Sequence, residues 1–378
     1  MPTLPDFKLE THFSKWEFNA RYHMTASDAE SMRLDELLAM ASSDDRANFE
    51  NMWLGYTETF GAPALRHAIA DSFANQSAEQ VLCFAGASEG IFAANNVLLE
   101  KDSHAIVITP NYQSHETLPL AICEATGVPL DPDDDWSLDI ERVAAAIQPN
   151  TRLLTMNFPH NPTGTILPRD RFDALVELCR KHGIYILHDE IFNGLGPSDA
   201  EHLPFIADVY ERGLSLGVVS KAYGLPGLRI GWIACQDKAL LSRMERLKHY
   251  LSICNSGPSE QLAIIALKNR KKLLDRNCAI VDENLIRWNH FFAAFEDRFE
   301  WQPPDGSCTA FPRYLGDDGV EAFAHSLVEG SGVLVLPSSI YHSELGPTPN
   351  DRFRIGLGRR GLDEGLSVMR THLQKQVS

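Results

Sequence analysis

One lysine of this sequence lies in surroundings that suit a covalent bond to a ligand better than contact with solvent. Lys221 occurs in the stretch SKAYGLPGLRIGW (220–232), next to Ser220 and eight residues before Arg229. The three glycines and one proline of this stretch allow a ligand to approach the backbone closely. A lysine amine can form a Schiff base with an aldehyde, and an arginine can bind an anionic group of the same ligand.

Further polar groups follow strand candidates, at points where the chain would turn at the edge of a sheet. The segment AGASEG follows a strand candidate ending near Ala85 and opens a helix, so its backbone N–H groups can bind a phosphate. Asn161 lies in the proline-fixed turn NFPHNPTG, and Asp189 ends the strand candidate in ILHDEIF. Because parallel sheets bind ligands beyond the carboxyl ends of their strands, we expect these groups to lie close to Lys221.

Together these groups match what pyridoxal 5'-phosphate requires of a protein. A lysine holds its aldehyde, and a carboxylate keeps its pyridine nitrogen protonated, which makes the ring an electron sink. A helix N-terminus and an arginine bind the phosphate, an aromatic ring stacks on the cofactor, and a polar side chain binds the phenolic oxygen. The sequence therefore predicts a pyridoxal-phosphate site and no metal site, since His182, His188 and Glu190 are interpreted as packing or solvated residues.

Seven motifs, in this order, resemble the fold-type I pyridoxal-phosphate enzymes of the class I and II aminotransferase family. They are YTETFGAPALRHAI, GASEG, TPNYQSHE, NFPHNPTG, HDEIF, SKAYGLPGLRIGW and FRIGLGR, and they span residues 56–359. The NPTG and SKAYGLPGLRIGW segments are the most specific of them. The N-terminal segment WEFNARYHMTASDAESMRLDEL brings the chain closer to a subgroup that contains capreomycidine synthase.

The resemblance implies a role for each matching residue in the cofactor site. Lys221 resembles the Schiff-base lysine that also moves a proton, and Asp189 resembles the partner of the pyridine nitrogen. Asn161 would donate to the phenolic oxygen and contact the substrate, and Tyr112 would stack on the ring. The expected phosphate ligands are Gly86, Ala87, Ser88, Ser220 and Arg229.

Two further residues extend the resemblance to the substrate and to the assembly. Arg354 resembles the arginine that binds the substrate α-carboxylate, for which a guanidinium offers paired donors. Tyr56 resembles the tyrosine that reaches the phosphate of a neighbouring subunit, which implies a homodimer with shared sites. His160, beside Asn161, is interpreted either as a substrate contact or as a structural turn residue.

The sequence departs from the family pattern at two places. Many of these aminotransferases have a tyrosine where this chain has Phe192, and phenylalanine cannot donate to the phenolic oxygen. The N-terminal segment also lacks the usual glycine–proline turn near the substrate. Relatives in the capreomycidine synthase subgroup eliminate or cyclise hydroxylated arginine, and a more distant relative oxidises arginine.

The elements that must position these residues predict an α/β fold with a mostly parallel sheet covered by helices. Strand candidates are 81–86, 105–109, 152–157, 184–189, 216–220 and 229–234, and helical patterns alternate with them. The helix RDRFDALVELCRKHG is expected to end at Gly183, and GAPALRHAIADSFANQ is expected to form one amphipathic helix. The predicted domains are an arm with part of a small domain (1–45), a large cofactor-binding domain (46–275) and a small α+β domain (276–378).

Composition limits the classes of partner. The 378 residues carry a formal charge of −17, which argues against nucleic acids and anionic membrane surfaces as partners. The seven cysteines form no C-x-x-C pair, and no apolar stretch approaches membrane-spanning length or resembles a secretory signal. A reduced, cytoplasmic enzyme is therefore expected. The acidic run DPDDDW (131–136) is interpreted as a solvated turn.

The predicted function is a pyridoxal-phosphate-dependent transformation of a small α-amino acid, in first place transamination to the 2-keto acid. The alternative is β-elimination, cyclisation or oxidation of an arginine-like amino acid. Arginine-like substrates would require carboxylates, for which Glu17, Glu58 and Glu116 are candidates. A non-catalytic ligand sensor on the same fold is a third interpretation, which the acidic chain and the absence of a helix-turn-helix segment before residue 50 disfavour.

Overall fold

A computed structural model of the chain describes residues 4–375. Within them the α-helices are α1 Lys8–Trp16, α2 Leu34–Leu38, α3 Ser43–Glu50, α4 Pro63–Ala70, α5 Ala87–Leu98, α6 Ser114–Ile122, α7 Ile140–Ala146, α8 Arg169–His182, α9 Ile206–Val209, α10 Lys238–Lys248, α11 Gly257–Lys268, α12 Arg270–Ala293, α13 Gly319–Ser331 and α14 Leu362–Lys375. The strands are β1 Tyr22–His23, β2 Val81–Phe84, β3 His104–Thr109, β4 Glu124–Pro129, β5 Thr151–Asn157, β6 Tyr185–Asp189, β7 Gly213–Val218, β8 Gly231–Ala234, β9 Phe299–Glu300, β10 Thr309–Ala310, β11 Arg313–Tyr314, β12 Val333–Leu334, β13 Leu336–Pro337 and β14 Phe353–Gly356.

Seven strands form the central sheet, in the order β2-β8-β7-β6-β5-β3-β4. Strands β3 to β7 pair in parallel, and β8 runs antiparallel to both of its neighbours. Every residue of β2, β3, β7 and β8 is buried, as expected of strands covered on both faces. The prediction of a mostly parallel α/β sheet is confirmed, and each of the six strand candidates overlaps an observed strand.

The strand β4 was not predicted, and its composition explains why. Its sequence EATGVP contains a glycine and a proline and has one buried residue, Val128. Such a segment lacks the apolar run by which buried strands are found. It forms because β3 offers a complete parallel edge, from His104 opposite Glu124 to Thr109 opposite Pro129.

The C-terminal end of α8 lies where the sequence predicts it, and that of α4 does not. Gly183 follows α8 in the left-handed conformation at φ 66°, which confirms the predicted C-terminal glycine. The helix predicted over 61–76 is shorter than expected, because α4 ends at Ala70. Beyond it, the N–H groups of Ala74 and Asn75 donate to the carboxylate of Asp208 at 2.9 and 2.8 Å, so a side chain replaces the helical acceptors.

The N-terminal and C-terminal parts of the chain pack together. β1 pairs in parallel with β12, and β10, β14 and β13 form a small antiparallel sheet. α13 packs on β12 and β13, and α14 packs on β1 and β12. α12 runs unbroken from Arg270 to Ala293, across the predicted boundary at 275. The domain boundaries themselves stay a prediction.

Two predictions outside the sheet concern metals and membranes. Asp131 pairs with Ser137 across the acidic run, which forms a turn with residues 133–135 exposed and Trp136 buried. Residues 4–375 contain no group of three or more His, Cys, Asp and Glu side chains able to hold a metal ion. Over the same range, no helix has the length and apolar composition needed to cross a membrane.

Candidate active site

A cavity of about 310 Å³ opens at the carboxyl ends of β5, β6 and β7. Nine of the sequence-predicted site residues line it: Ala87, Ser88, Tyr112, Asn161, Asp189, Ser220, Lys221, Arg229 and Arg354. The sheet register explains part of this convergence, because Asn157 pairs with Asp189 and Asp189 with Leu216 on neighbouring strands. Lys221 follows β7 by three residues and so reaches the same edge.

Lys221 is held by a hydroxyl group from the N-terminal segment. Its Nζ donates to Ser27 Oγ at 2.9 Å, across 194 residues of sequence. Burial lowers the pKa of Lys221, and the charge of Arg354 lowers it further, while Asp28 opposes the shift. The amine is therefore closer to its neutral, nucleophilic form than a solvated lysine would be.

Asp189 is fixed by a buried histidine that the sequence reading did not single out. His115 Nε2 lies 2.9 Å from Asp189 Oδ2, and His115 Nδ1 lies 2.7 Å from Thr155 Oγ1. Both ring nitrogens thus have partners, and the His115 and Asp189 side chains are 2–3% exposed. This chain of contacts leaves Asp189 anchored in a single orientation towards the cavity. His115 lies within the motif TPNYQSHE, but its role depends on a contact 74 residues away along the chain.

Two asparagines connect the sheet edge to the carboxylate-binding arginine. Asn157 Nδ2 donates to the Asp189 backbone oxygen at 2.7 Å, and Asn157 Oδ1 accepts the Asn161 N–H at 2.9 Å. Asn161 Oδ1 in turn accepts from Arg354 Nη1 at 3.0 Å and from the Tyr341 hydroxyl at 3.4 Å. The Asn161 oxygen is thereby occupied, which directs its amide N–H groups to the cavity.

Arg354 is 0% exposed and takes part in none of the ion pairs found among the described residues. Its Nε donates to Thr25 Oγ1 at 3.3 Å, its Nη2 to the Thr25 backbone oxygen at 2.7 Å, and its Nη1 to Asn161. The Tyr341 hydroxyl also lies within hydrogen-bonding reach of this guanidinium, which has five N–H donors in all. A buried guanidinium without a carboxylate partner among residues 4–375 is suited to the carboxylate of a substrate.

The N-terminus of α5 and Arg229 form a cradle for an anion. Gly86 has φ +94°, and a Cβ built on it would lie 2.4 Å from Arg229 Nη2, so the guanidinium rests directly against the glycine backbone. Arg229 itself adopts φ +53°, a conformation that non-glycine residues rarely take. Arg229 Nη1 lies 3.5 Å from Ser220 Oγ. Helix N–H groups, a guanidinium and hydroxyls together fit a phosphate dianion.

Two aromatic residues line the cavity. Tyr112 packs against Phe7 with ring centroids 5.0 Å apart, and its hydroxyl lies 3.5 Å from Glu10 Oε1. Burial raises the pKa of Tyr112 to about 12, so it remains a neutral ring able to stack on a cofactor. Phe192 is 1% exposed and also lines the cavity, so that this position supplies no hydrogen-bond donor.

Two carboxylates, Glu10 in α1 and Glu17 directly after it, act electrostatically on Lys221. Glu10 lines the cavity, and neither Glu10 nor Glu17 belongs to an ion pair among residues 4–375. Burial raises the pKa of Glu17; the nearby carboxylates Glu10 and Asp28 raise it further, against the effect of Arg359. Asp28 is already neutralised by Arg359 at 2.8 Å. Glu10 therefore places a carboxylate on the cavity lining, while Glu17, whose raised pKa favours its neutral form, lies outside that lining.

Other predicted residues lie elsewhere. Glu116 is buried behind the site, where it accepts from Ser343 Oγ at 2.6 Å, and Glu58 is exposed outside the cavity lining. His160 bonds Thr163 and the Pro110 backbone oxygen, both at 2.8 Å, which supports the structural interpretation. Tyr56 is 88% exposed and does not line the cavity of its own chain.

Comparison with known proteins identifies the family of this chain. The family model for aminotransferase class I and II matches residues 28–365. The chain is 30% identical to capreomycidine synthase of Streptomyces vinaceus, over 98% of this chain and 94% of the relative, and 31% identical to an arginine–pyruvate transaminase of Pseudomonas aeruginosa, over 80% and 77%.

Solved structures show the same fold over nearly the whole length. A pyridoxal-phosphate-dependent aminotransferase from Streptococcus suis superimposes with a TM-score of 0.91 at 27% identity, covering 99% of this chain and 98% of the other. The pyridoxal-phosphate-dependent cyclase OrfR superimposes with a TM-score of 0.89 at 26% identity, covering 100% and 99%.

Proposed function

We propose that this chain, which belongs to the class I and II aminotransferase family of pyridoxal-phosphate-dependent enzymes, transaminates an α-amino acid with a cationic side chain to its 2-keto acid. The observation that carries the proposal is the buried Arg354, which lines the cavity that contains Lys221 and has only neutral hydrogen-bond partners, with no carboxylate partner, among the described residues. A substrate carboxylate bound there completes an otherwise unbalanced buried charge.

Each of the polar residues of the cavity would have its own role in such a reaction. When bound, pyridoxal phosphate supplies an electron sink for the charge that develops at the substrate α-carbon. Lys221 would hold the cofactor aldehyde and would then move the α-proton with its amine, which burial makes easier to deprotonate than a solvated lysine by lowering its pKa. Asp189, anchored by His115, keeps a proton on the pyridine nitrogen. Asn161 couples the cofactor oxygen to Arg354, so that cofactor and substrate are oriented together.

Glu10 supports the choice of side chain. The Arg354 guanidinium would fix the α-carboxylate in the cavity, and the substrate side chain would extend towards α1, which carries Glu10. The Glu10 carboxylate, which forms no ion pair among residues 4–375, favours a guanidinium or ammonium group in that position and disfavours an acidic side chain. The named activity of the arginine–pyruvate transaminase agrees with this substrate class.

A second candidate reaction is β-elimination or cyclisation of a hydroxylated, arginine-like amino acid. Phe192 favours it, because it withholds a hydrogen bond that the family pattern supplies to the phenolic oxygen and so changes the electronics of the cofactor. The similarity to capreomycidine synthase over 98% of the chain also supports it. The α-carboxylate and the cationic side chain of the substrate would be recognised by the same residues in either reaction, but elimination also requires the hydroxyl group as a leaving group.

The proposed assembly is a homodimer with shared sites. Six large apolar or aromatic side chains form an exposed patch on two segments joined by the Thr57–Asn255 hydrogen bond; this apolar patch comprises Trp53, Leu54, Tyr56, Tyr250, Leu251 and Ile253. Trp53, Tyr56 and Tyr250 are each 88% exposed, and a second copy would cover them. Trp53→Arg should yield a monomer with weakened cofactor binding, whereas Ile286→Arg, at an exposed apolar residue of α12, should leave the dimer intact in sedimentation velocity.

All seven cysteines are free thiols, four of them buried, which supports the proposed location in the reducing cytoplasm. A 2-keto acid would be the second substrate of the transamination.

One titration decides between the two reactions. Purified holoenzyme is mixed, without keto acid, with arginine, hydroxyarginine, lysine, aspartate or norleucine. Transamination stops after one equivalent of keto acid per site and changes the visible absorption of the cofactor stoichiometrically. Elimination or cyclisation continues through many turnovers and restores that absorption. If none of the amino acids alters the absorption of a cofactor-loaded enzyme, the proposed function is wrong.

A further inference from the structure

A buried lysine outside the cavity has no part in the reaction described above. Lys248, at the end of α10, is 0% exposed. Its Nζ donates to the backbone oxygens of Thr59 and Cys83, both at 2.7 Å, and to Asn255 Oδ1 at 3.3 Å. The three N–H donors of the ammonium thus meet three neutral acceptors, and Lys248 forms no ion pair among residues 4–375. Because a buried charge is costly without a carboxylate, its presence calls for a specific role.

The acceptors belong to three separate segments that Lys248 holds together. Thr59 lies in the connection between α3 and α4, three residues after Tyr56, and Cys83 lies in β2, just before the phosphate cradle. Asn255 follows the exposed turn after α10, and its Nδ2 donates to Glu260 Oε1 at 3.0 Å. The other oxygen of Glu260 accepts the N–H of Ala62 at 3.2 Å, at the end of the same connection.

The connection that carries Tyr56 has few other attachments. No helix or strand is formed between Glu50 and Pro63, and the side chain of Tyr56 is 88% exposed. The Cys83 N–H donates to the Phe60 backbone oxygen at 2.9 Å, next to the carbonyl group of Thr59. Lys248 and the hydrogen bond between Cys83 and Phe60 therefore hold this connection against β2 together.

A second contact joins the apolar patch to the phosphate cradle directly. Glu89, in the first turn of α5, accepts the N–H of Ala85 at 2.6 Å with one oxygen and the N–H of Ser252 at 3.2 Å with the other. Both halves of the patch are thus tied to the end of β2, one through Lys248 and one through Glu89.

We propose that Lys248 is a positioning residue, whose ammonium fixes the segment 56–62 so that Tyr56 of one copy reaches the phosphate cradle of a second copy. This inference rests on the proposed homodimer with shared sites. Lys248 itself touches neither cofactor nor substrate in the proposal. Its effect on cofactor binding must therefore pass through Tyr56 and disappear when the tyrosine hydroxyl is absent.

A double-mutant cycle tests this dependence. The dissociation constant of pyridoxal phosphate is measured by fluorescence quenching for wild type, Tyr56→Phe, Lys248→Met and the double variant. The dimer fraction is followed by sedimentation velocity. Loss of one charge-assisted hydrogen bond to the phosphate predicts a dissociation constant about tenfold higher for Tyr56→Phe. Lys248→Met should produce a similar increase, and the double variant should bind no more weakly than the weaker single variant. Lys271→Met, at an exposed lysine of α12, is the matched control and should bind as wild type does.

Each outcome has a distinct meaning. Additive losses from Tyr56→Phe and Lys248→Met overturn the positioning role and leave the shared site standing. An unchanged dissociation constant in Lys248→Met also overturns it. If Tyr56→Phe binds as tightly as wild type, the shared tyrosine of the proposed function fails, and the role of Lys248 fails with it. If Lys248→Met does not fold, Asn255→Ala, which removes one of the three acceptors, takes its place. Asn255→Ala should weaken the binding of pyridoxal phosphate when Tyr56 is present and should have no further effect when it is combined with Tyr56→Phe.

Discussion

Replacement of Arg354 by lysine tests the centre of the proposed site. Three of the five N–H donors of Arg354 are used by Thr25 and Asn161, and no carboxylate among residues 4–375 pairs with the guanidinium, which would bind the substrate carboxylate. Lysine retains the charge but cannot present two parallel donors. Loss of one charge-assisted hydrogen bond costs about 1.5–3 kcal/mol, which corresponds to a decrease of about 10–150-fold in kcat/KM. Arg354→Met, which removes both bonds and the charge, should lower kcat/KM about 10²–10⁴-fold.

The assay must separate lost carboxylate binding from general damage. The kcat/KM is measured with the amino acid that reacts fastest, and the decarboxylated amine of that amino acid is measured as a competitive inhibitor. Arg354→Lys should weaken the reaction of the amino acid and leave the inhibition constant of the amine nearly unchanged. Arg352→Lys is the matched control, because Arg352 lies two residues away and packs on Trp136 at 5.0 Å, outside the cavity. Equal losses for amino acid and amine, or equal effects of the two arginine variants, would refute the assignment.

Three further predictions concern the rest of the site. Burial lowers the pKa of Lys221. The rate at which the apoenzyme captures pyridoxal phosphate should therefore rise with pH, as the amine loses its proton, with a midpoint below pH 10.5. A midpoint at or above that pH would contradict the assignment of Lys221. His115→Phe removes the 2.9 Å contact to Asp189 and should lower kcat/KM about 10–100-fold in steady-state assays with the folded holoenzyme. An unchanged kcat/KM would show that His115 has only a packing role. Glu10→Gln should lower the preference for arginine, measured as kcat/KM for arginine divided by kcat/KM for norleucine, about 2–5-fold. The decrease should be larger at low salt than at high salt. Glu58→Gln is the control and should leave this ratio unchanged.

The local patterns of the sequence are sufficient to predict the main residues of the cofactor site. The strand candidates that precede Asn161, Asp189 and Lys221 each end in a polar segment, and parallel strands bring their carboxyl ends to one edge of the sheet. The positions of Asn161, Asp189 and Lys221 follow from that geometry alone, and all three line the same cavity. Gly86 was also predictable, because a helix N-terminus that approaches an anion closely requires a residue without a Cβ.

Contacts that join distant segments decided the rest. Arg354 meets Asn161 across 193 residues, Lys221 meets Ser27 across 194, and Lys248 meets Thr59 across 189. No periodicity or turn signal encodes such pairs, because their formation depends on how the N-terminal arm and the C-terminal sheet dock on the large sheet.

The sequence by itself therefore determined the fold class, the cofactor and the residues expected to bind it, since these depend on residue type and on order along the strands. The tertiary structure alone decided that Glu10 rather than Glu58 or Glu116 lines the cavity, and that His115 anchors Asp189. The physical reason is that a charged or titratable side chain acquires its role from burial and partners, which are properties of the folded chain and not of the local sequence.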